Sequence, residues 1–209
     1  MSIQKQVEAY ISERPSIRDA FRNNVVNYSK LARKIIKEAG LKENDFDAVL
    51  ISCRRFAYSI RKEQGSKKQI KELLKENKLE IKDRIAVFIV QRGVIHENTL
   101  EFEKQVKQNQ SFSNIIEGIK AMTIITEEEN APLVKKYFKR YLIKEKHDLA
   151  EIILKSPPSL EDVPGVMAYL YSLFGEFGIN IVETMSCWTD TIFIIRREDL
   201  EKALRLLRF

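Results

Sequence analysis

The spacing of the hydrophobic residues changes once along this 209-residue chain, near residue 78, and that change limits the fold more than any other feature. Before it, apolar residues recur every three or four positions, as in amphipathic α-helices. After it come short continuous apolar runs rich in β-branched residues, beginning with Ile85 to Val90, which are typical of buried strands. The sequence therefore predicts a helical N-terminal third followed by an α+β region.

The helical third is predicted to carry its cations on its solvent-facing sides. Asn27 or Ser29 is suited to cap a helix that ends at Gly40, a residue well placed for the C′ position. A longer helix is expected from about Asp45 to Glu63, with an apolar stripe turned inward. The outward basic residues of these two helices are the candidate nucleic-acid contacts: Lys30, Arg33, Lys34, Arg54, Arg55 and Arg61.

The net charge of +6 is unevenly distributed. Residues 1–78 contain 18 Lys and Arg against 10 Asp and Glu, a net charge of +8, whereas residues 79–209 contain 18 against 20, a net charge of −2. Such asymmetry favours a polyanionic partner for the first segment, with DNA as one hypothesis. A solvated Lys/Arg face on a charge-rich protein is the alternative.

The C-terminal part predicts an alternation of strands and helices. Strands are expected at Leu149–Leu154, Asn180–Met185 and Thr191–Ile195. Pro164 is expected at the first position of a helix that Gly178 ends, and a last helix begins at Asp199. The order β-α-β-β-α implies a small antiparallel sheet with two helices on one face.

Two short segments in this region carry a resemblance. Residues 161–168 read Glu-Asp-Val-Pro-Gly-Val-Met-Ala, and residues 177–181 read Phe-Gly-Ile-Asn-Ile. Together they resemble the signature of ACT domains, the regulatory domains of aspartokinase and of many amino-acid biosynthetic enzymes. The resemblance implies an amino-acid ligand and these binding residues: Asp162, Val163, Pro164, Gly165, Val166, Asn180 and Ile181.

The chemistry of the motif is consistent with that implication. Gly165 would let the backbone approach a ligand closely, because it has no Cβ. The N–H groups at the start of the helix would receive a carboxylate, and the Asn180 amide would meet amino or carboxylate groups. The alternative is that Pro164 and Gly165 form only a strand–helix turn and bind nothing.

A weaker internal repeat predicts a second, divergent ACT unit. Asn114–Glu117 matches Asn180–Glu183 at an offset of 66, which places Asn98-Thr99 where the motif has Pro164-Gly165. The first unit would therefore lack the glycine. The predicted architecture is a helical domain at 1–78 followed by two ferredoxin-like βαββαβ units at 79–146 and 147–209. The second unit lacks a final strand, so the other unit or a partner chain is expected to cover that edge.

The element order of the N-terminal third resembles a helix-turn-helix module, although its turn spacing departs from the common motif. Two functions follow. The first is an amino-acid-responsive transcription regulator, with basic helices on DNA. The second is a non-catalytic regulatory subunit that docks on a biosynthetic enzyme, as the acetolactate synthase small subunit does. We expect no enzyme activity, because the sequence has no Gly-rich phosphate loop or acyl-transfer triad.

The remaining residues of interest predict no metal site, cofactor or membrane span. Cys53 and Cys187 are expected to behave as small buried hydrophobes, and His96 and His147 have no metal-ligand spacing. No cofactor, metal or membrane span is expected, and a cytoplasmic homo-oligomer is predicted. Trp188 and Tyr169 are interpreted as sheet-packing or subunit-contact residues rather than as ligand contacts.

Overall fold

The protein was analysed as a computed structural model that describes the backbone of residues 1–62, 65–93 and 96–209. It describes the side chains of residues 1–60, 68–93 and 97–209. The chain divides into two compact units, Met1–Gln69 and Ile70–Phe209. The predicted organisation into three domains, with boundaries at residues 78 and 146, remains a prediction.

The first unit is helical, as the apolar spacing predicts. Asn27 caps one helix by accepting a hydrogen bond from the Lys30 backbone N–H over 3.0 Å, and Gly40 ends that helix with a φ of 67°. The following helix starts at Phe46. The helices are α1 (Ile3–Ser12), α2 (Pro15–Arg22), α3 (Tyr28–Ala39), α4 (Phe46–Lys62) and α5 (Gly65–Lys75), of which the last crosses the unit boundary.

Helix α4 is the central helix of this unit. It packs against α1, α2 and α3, and its apolar stripe of Val49, Cys53, Ala57 and Ile60 is at most 1% exposed. Burial of this stripe on three neighbouring helices stabilises the unit and fixes which side of α4 faces solvent. The helix-turn-helix interpretation remains a prediction.

The second unit repeats the element order β-α-β-β-α, once over residues 78–138 (the first repeat) and once over residues 142–206 (the second repeat). The first repeat contains β1 (Lys78–Gln91), α6 (His96–Gln108), β2 (Ser113–Glu117), β3 (Ala121–Glu127) and α7 (Ala131–Phe138). The second contains β4 (Leu142–Lys155), α8 (Val166–Glu176), β5 (Ile181–Cys187), β6 (Asp190–Arg196) and α9 (Leu200–Leu206).

One antiparallel sheet joins both repeats, in the order β2-β3-β1-β4-β6-β5. The central strands β1 and β4 are longer than the apolar runs predict, and each serves both repeats. Residues 85–91 of β1 pair with β3, whereas residues 78–82 pair with residues 151–155 of β4. The strand expected to be missing from the second repeat is therefore supplied by β1 of the same chain.

Each long strand bends where it passes from one repeat to the other. Arg84 and Asp148 adopt left-handed φ values of 54° and 56°, and the β1–β4 register shifts beside them. A bulge of this kind bends and twists a sheet locally. The bends therefore mark the boundary between the two halves of the sheet.

Helices cover the sheet in two separate hydrophobic clusters. In the first repeat, α6 and α7 place Phe102 and Phe138 against Phe88 of β1. In the second, α8 places Phe174 over Phe193 of β6, and α5 adds Ile70 to the same core. A further cluster on the other side of the strands contains Ile85, Val87, Ile125, Leu149 and Ile194.

Two local predictions are wrong. Helix α8 begins at Val166, with Gly165 as its N-cap, so Pro164 lies in the preceding turn rather than at the first helical position. Asn98 and Thr99 lie inside α6. They are therefore not equivalent to Pro164-Gly165, and the glycine that follows β1 is Gly93, with a φ of 104°.

Candidate ligand site

The candidate site is built around the loop that connects β4 to α8. Gly165 adopts a φ of 92°, a left-handed conformation that glycine accepts far more readily than other residues. This turn directs the chain from the end of the sheet into α8. Glycine at position 165 is thus favoured by the strand–helix turn itself, whether or not a ligand binds.

The left-handed backbone at Gly165 gives a reason for this glycine that is separate from the approach of a ligand. A Cβ built there would meet Ile70 Cδ1 of α5 at 3.6 Å, an ordinary van der Waals distance. Gly165 is therefore required by its backbone conformation, and the space beside its Cα is limited by a side chain of the same unit.

An open depression of about 560 Å³ lies beside this loop. Its walls contain the predicted residues Val163, Gly165 and Val166, of which the two valines are at most 7% exposed. Asp162 and Pro164 are exposed and do not line it. The sequence analysis missed the other lining residues: Leu160, Glu161, Met167, Ala168, Ser186 and Trp188.

The start of α8 contributes hydrogen-bond donors to the depression. The first intrahelical bond runs from the Tyr169 N–H to the Gly165 carbonyl at 2.9 Å. Among the described residues, none accepts from the N–H groups of Val166, Met167 or Ala168, and Gly165 has no side chain with which to cap them. Such donors, together with the helix dipole, favour an anionic group such as a carboxylate.

Asn180 lies elsewhere, which corrects the predicted site. The 11-residue helix α8, about 16 Å long, separates it from Gly165. Asn180 and Val182 line a second depression of about 400 Å³, together with Lys146, His147, Asp148 and Arg196. Ile181 is half-buried against the second-repeat core. One small ligand cannot contact both Gly165 and Asn180 within this repeat.

The charged groups around this second depression are already paired in part. The Arg196 guanidinium lies 3.1 Å from a Glu198 carboxylate oxygen. Burial raises the pKa of the Glu183 carboxyl on β5, and the nearby Lys146 opposes that rise. Of the charged residues that line this depression, Arg196 and Glu198 thus pair with each other.

The first repeat has an equivalent but smaller depression. It is about 180 Å³ in volume, and its lining includes Gly93 after β1 and Glu117 and Gly118 at the end of β2. Met122 of β3 also lines it, at the place that Thr191 holds in β6. Of the two, the second repeat therefore offers the larger space.

The predicted nucleic-acid residues lie on the first unit. Residues 1–69 contain 15 Lys and Arg against 8 Asp and Glu, a net charge of +7. Arg33 places its guanidinium 5.5 Å from the Phe46 ring centre, and Lys34 lies 3.7 Å from Glu38. Lys30 is exposed. The side chain of Arg61 lies outside the described residues.

Arg54 and Arg55 share the exposed side of α4 with two large apolar residues. Ile51 is 48% and Tyr58 is 69% exposed, and both lie within one helical turn of the arginines. Neither arginine forms an ion pair with a residue that the structure describes. This exposed side, hereafter the α4 face, presents guanidinium groups beside apolar and aromatic surface.

Two absences can be stated for the described residues. Their histidines, cysteines, aspartates and glutamates form no group of three or more that could hold a metal ion. No helix in the described ranges is long and apolar enough to cross a membrane.

Comparisons with known proteins identify the fold. No family model matches the chain, and no curated protein sequence matches it. The structure is similar to aspartate kinase from Clostridium acetobutylicum, with a TM-score of 0.51 and 11% identity over 62% of this chain and 33% of that enzyme. It is also similar to the ligand-free regulatory subunit of aspartate kinase from Thermus thermophilus, with a TM-score of 0.50 and 16% identity over 62% of this chain and 93% of that subunit.

The chain thus spans about a third of the length of the clostridial enzyme and nearly all of the Thermus regulatory subunit. At these identities the likeness concerns the fold alone. The α+β sheet of this protein has the ACT-like fold found in the regulatory domains of aspartate kinase.

Proposed function

We propose that this protein is an amino-acid-responsive regulator rather than a catalyst. In this proposal the two repeats, residues 78–206, form a tandem pair of ACT domains. The second repeat binds a free amino acid in the depression beside Gly165. The basic helical unit passes the response to DNA. The proposal rests mainly on the N–H groups at the start of α8, from which no described residue accepts a hydrogen bond. They lie beside a depression large enough for an amino acid.

The ACT-like fold supports this function over catalysis, because the fold is that of a regulatory subunit. The described lining of the depression offers no arrangement typical of a catalytic centre. Among the lining residues that the structure describes, Glu161 is the one charged side chain, and no nucleophile–base pair accompanies it. Its backbone donors and apolar walls suit reversible binding.

The first experiment measures the melting temperature of the full chain with each of the twenty amino acids. A ligand that binds only the folded state raises apparent stability, by about 2.7 kcal/mol at a concentration of 100 Kd. One or a few amino acids should raise the melting temperature. If none does, the Gly165 loop is only a turn and the sensing function is rejected.

A substitution at Ala168 tests whether the ligand carboxylate meets the start of α8. Ala168→Glu adds a negative charge in the first turn, which is compatible with helix stability but repels a bound carboxylate. We expect the variant to fold with at least wild-type stability and to lose the thermal response. Ser172→Glu, on an exposed part of the same helix, is the matched control and should keep it.

The DNA partner is supported by the charge of the first unit and by the arginines of the α4 face. Replacing Arg54 and Arg55 with Gln should flatten the salt dependence of DNA binding, by about 0.9 in log–log slope for each DNA phosphate that an arginine no longer neutralises. Lys5→Gln with Lys42→Gln removes the same charge from exposed positions outside the α4 face. An equal change in both double variants would mean that the arginines are ordinary solvated surface.

A second function is favoured by the apolar part of the α4 face. Exposed Ile51 and Tyr58 beside arginines are a composition enriched in protein interfaces. The alternative is therefore a regulatory subunit whose helical unit docks on a biosynthetic enzyme. Ile51→Ser leaves the charge unchanged, so it should weaken docking on an enzyme and leave a phosphate-dominated DNA complex nearly unaffected.

A further inference from the structure

The depression beside Gly165 has an aromatic side chain at its edge that no turn or core requires. Trp188 lies in the two-residue connection between β5 and β6, and 65% of its surface is exposed. Its φ of 50° is a conformation that disfavours a bulky residue. The exposure of Trp188 contradicts packing on the sheet, whereas a subunit contact stays a prediction. In the single chain the indole is available to a ligand in the depression that it lines.

The remaining walls of the depression contain apolar and polar groups. Leu160, Val163 and Val166 line it but pack in the second-repeat core and are at most 7% exposed. Half-buried Met167, together with exposed Trp188, gives a hydrocarbon or aromatic side chain apolar surface to cover. Burying such a group contributes about 25 cal/mol for each square ångström of apolar surface.

A serine hydroxyl lies on the sheet side of the depression. Ser186 of β5 lines it and is exposed. Thr191 of β6 lies directly opposite Ser186 on the same face of the sheet, but it is 1% exposed and does not line the depression. The Ser186 hydroxyl can therefore offer a hydrogen bond to a polar group of a ligand.

The charges beside the depression limit the class of ligand further. Among the described lining residues Glu161 is the one charged side chain, and it suits the ammonium group of an amino acid. The N–H groups of α8 suit one carboxylate. The lining that the structure describes contains no lysine, arginine or histidine to receive a second carboxylate. The side chain of the ligand therefore faces Met167 and the indole.

We propose that this depression selects a free amino acid with an aromatic side chain, whose ring stacks on the Trp188 indole. The inference rests on the proposed sensing function and specifies its ligand. The first repeat does not offer the same site. Its depression has about a third of the volume, and its described lining contains no aromatic residue.

The experiment uses the fluorescence of Trp188, the single tryptophan of the chain. L-phenylalanine, which does not absorb at the excitation wavelength of tryptophan, is titrated into the full-length protein and compared with L-leucine, L-lysine and L-aspartate. We expect a saturable change of the emission with L-phenylalanine. Its Kd should be roughly two- to twelvefold below that of L-leucine, because an aromatic pair adds about 0.5–1.5 kcal/mol to the burial of area.

Two variants measured by calorimetry make the test specific for the ring. Trp188→Gly removes the indole and places glycine at a positive φ, so it should fold at least as well as the wild type. It should lose roughly two- to twelvefold in affinity for L-phenylalanine and less for L-leucine. Trp188→Phe keeps an aromatic face and should restore most of the affinity.

The outcomes separate the inference from the function on which it rests. Tighter binding of L-leucine, L-lysine or L-aspartate than of L-phenylalanine would overturn the aromatic class but leave amino-acid sensing intact. Unchanged L-phenylalanine binding by Trp188→Gly would overturn the stacking role. Binding of no amino acid would remove both.

Discussion

At the scale of single residues, two glycines in or beside α8 have different roles. Gly165 has a φ of 92°, whereas Gly175 lies within the helix with open space where a Cβ would stand. The first is required by the turn that forms the candidate site. The second only adds conformational freedom to the unfolded chain.

Gly165→Ala should therefore destabilise the protein by about 1–2 kcal/mol, because an L-residue is strained in the left-handed region. Its new Cβ would be 3.6 Å from Ile70, so the cost comes from the backbone rather than from a clash. Gly175→Ala is the matched control and should stabilise by about 0.5–1 kcal/mol. Urea denaturation measures both, and equal effects would contradict the assignment.

The two cysteines also differ. Cys53 is fully buried on α4, and burial raises the pKa of its thiol to about 11. Cys187 is exposed, which corrects the expectation that both are buried. One thiol should react promptly with a disulfide reagent at pH 8 in the folded protein, and two should react in urea. A Cys187→Ser variant should leave no promptly reacting thiol in the folded state.

At the scale of elements, the pairing of β1 with β4 contains a buried charge. Lys82 Nζ lies 2.8 Å from Glu151 Oε1 and 3.8 Å from the Phe112 ring centre, and Glu151 is fully buried. The second Glu151 carboxylate oxygen has no partner among the described residues. Lys82 therefore compensates the charge of a carboxylate removed from water.

Lys82→Met should lower the free energy of unfolding by about 2–4 kcal/mol, because it leaves the Glu151 carboxylate unpaired. The double variant Lys82→Met with Glu151→Leu should recover most of that loss, since it leaves no charge behind. Lys155→Met breaks the exposed ion pair with Glu80 and serves as the control, with a much smaller effect. Additive single effects in a denaturation cycle would contradict the coupling.

Helices α1 and α3 are connected by a phenol–carboxylate hydrogen bond. Tyr10 Oη donates to Glu38 Oε2 over 2.5 Å, and burial together with this bond raises the pKa of Tyr10 to about 12. In the unfolded chain the pKa of the Tyr10 phenol is about 10. The folded state therefore holds the proton more tightly, and this contribution to stability is present below about pH 10.

The contribution of Tyr10 to the free energy of unfolding should then be lost as the pH rises from about 10 to about 12. Urea unfolding at pH 8 and at pH 11.5 tests this in the wild type and in Tyr10→Phe, which cannot ionise. The stability difference between the two proteins should shrink at the higher pH. A constant difference would mean that the phenol titrates equally in both states.

At the scale of the whole molecule, the sheet ends in two strands, β2 and β5, that have a neighbour on one side only. The expected unpaired edge of the second repeat is covered by residues 78–82 of β1, so it no longer argues for a partner chain. Among the described residues, β2 and β5 pair with no strand on their outer sides, so these edges can pair with a second copy.

We expect a dimer through one of these edges. Light scattering at micromolar concentration should give twice the chain mass of 24.4 kDa. Thr184→Lys places a charge on the exposed part of the β5 edge and should shift the protein toward the monomer, whereas Ser172→Lys on α8 should not. A wild-type monomer would reject the prediction.

The fold was largely predictable because local patterns carry it. Apolar spacing gave the helices, and Asn27 and Gly40 set the ends of α3 through capping, which is a property of a few adjacent residues. The second β-α-β-β-α order followed from the alternation of strand and helix patterns. The Pro-Gly turn was recognisable for the same reason, since a positive φ at Gly165 is a local requirement.

What depends on residues far apart in the chain was decided only by the tertiary structure. The sharing of β1 between both repeats joins residues 78–82 to 151–155, and nothing in either segment alone specifies its partner. The separation of Asn180 from Gly165 follows from the length of α8, although both belong to one recognisable motif. Trp188 meets the Gly165 loop only because the β5–β6 hairpin returns to it, since burial and proximity are properties of the packed chain rather than of its sequence pattern.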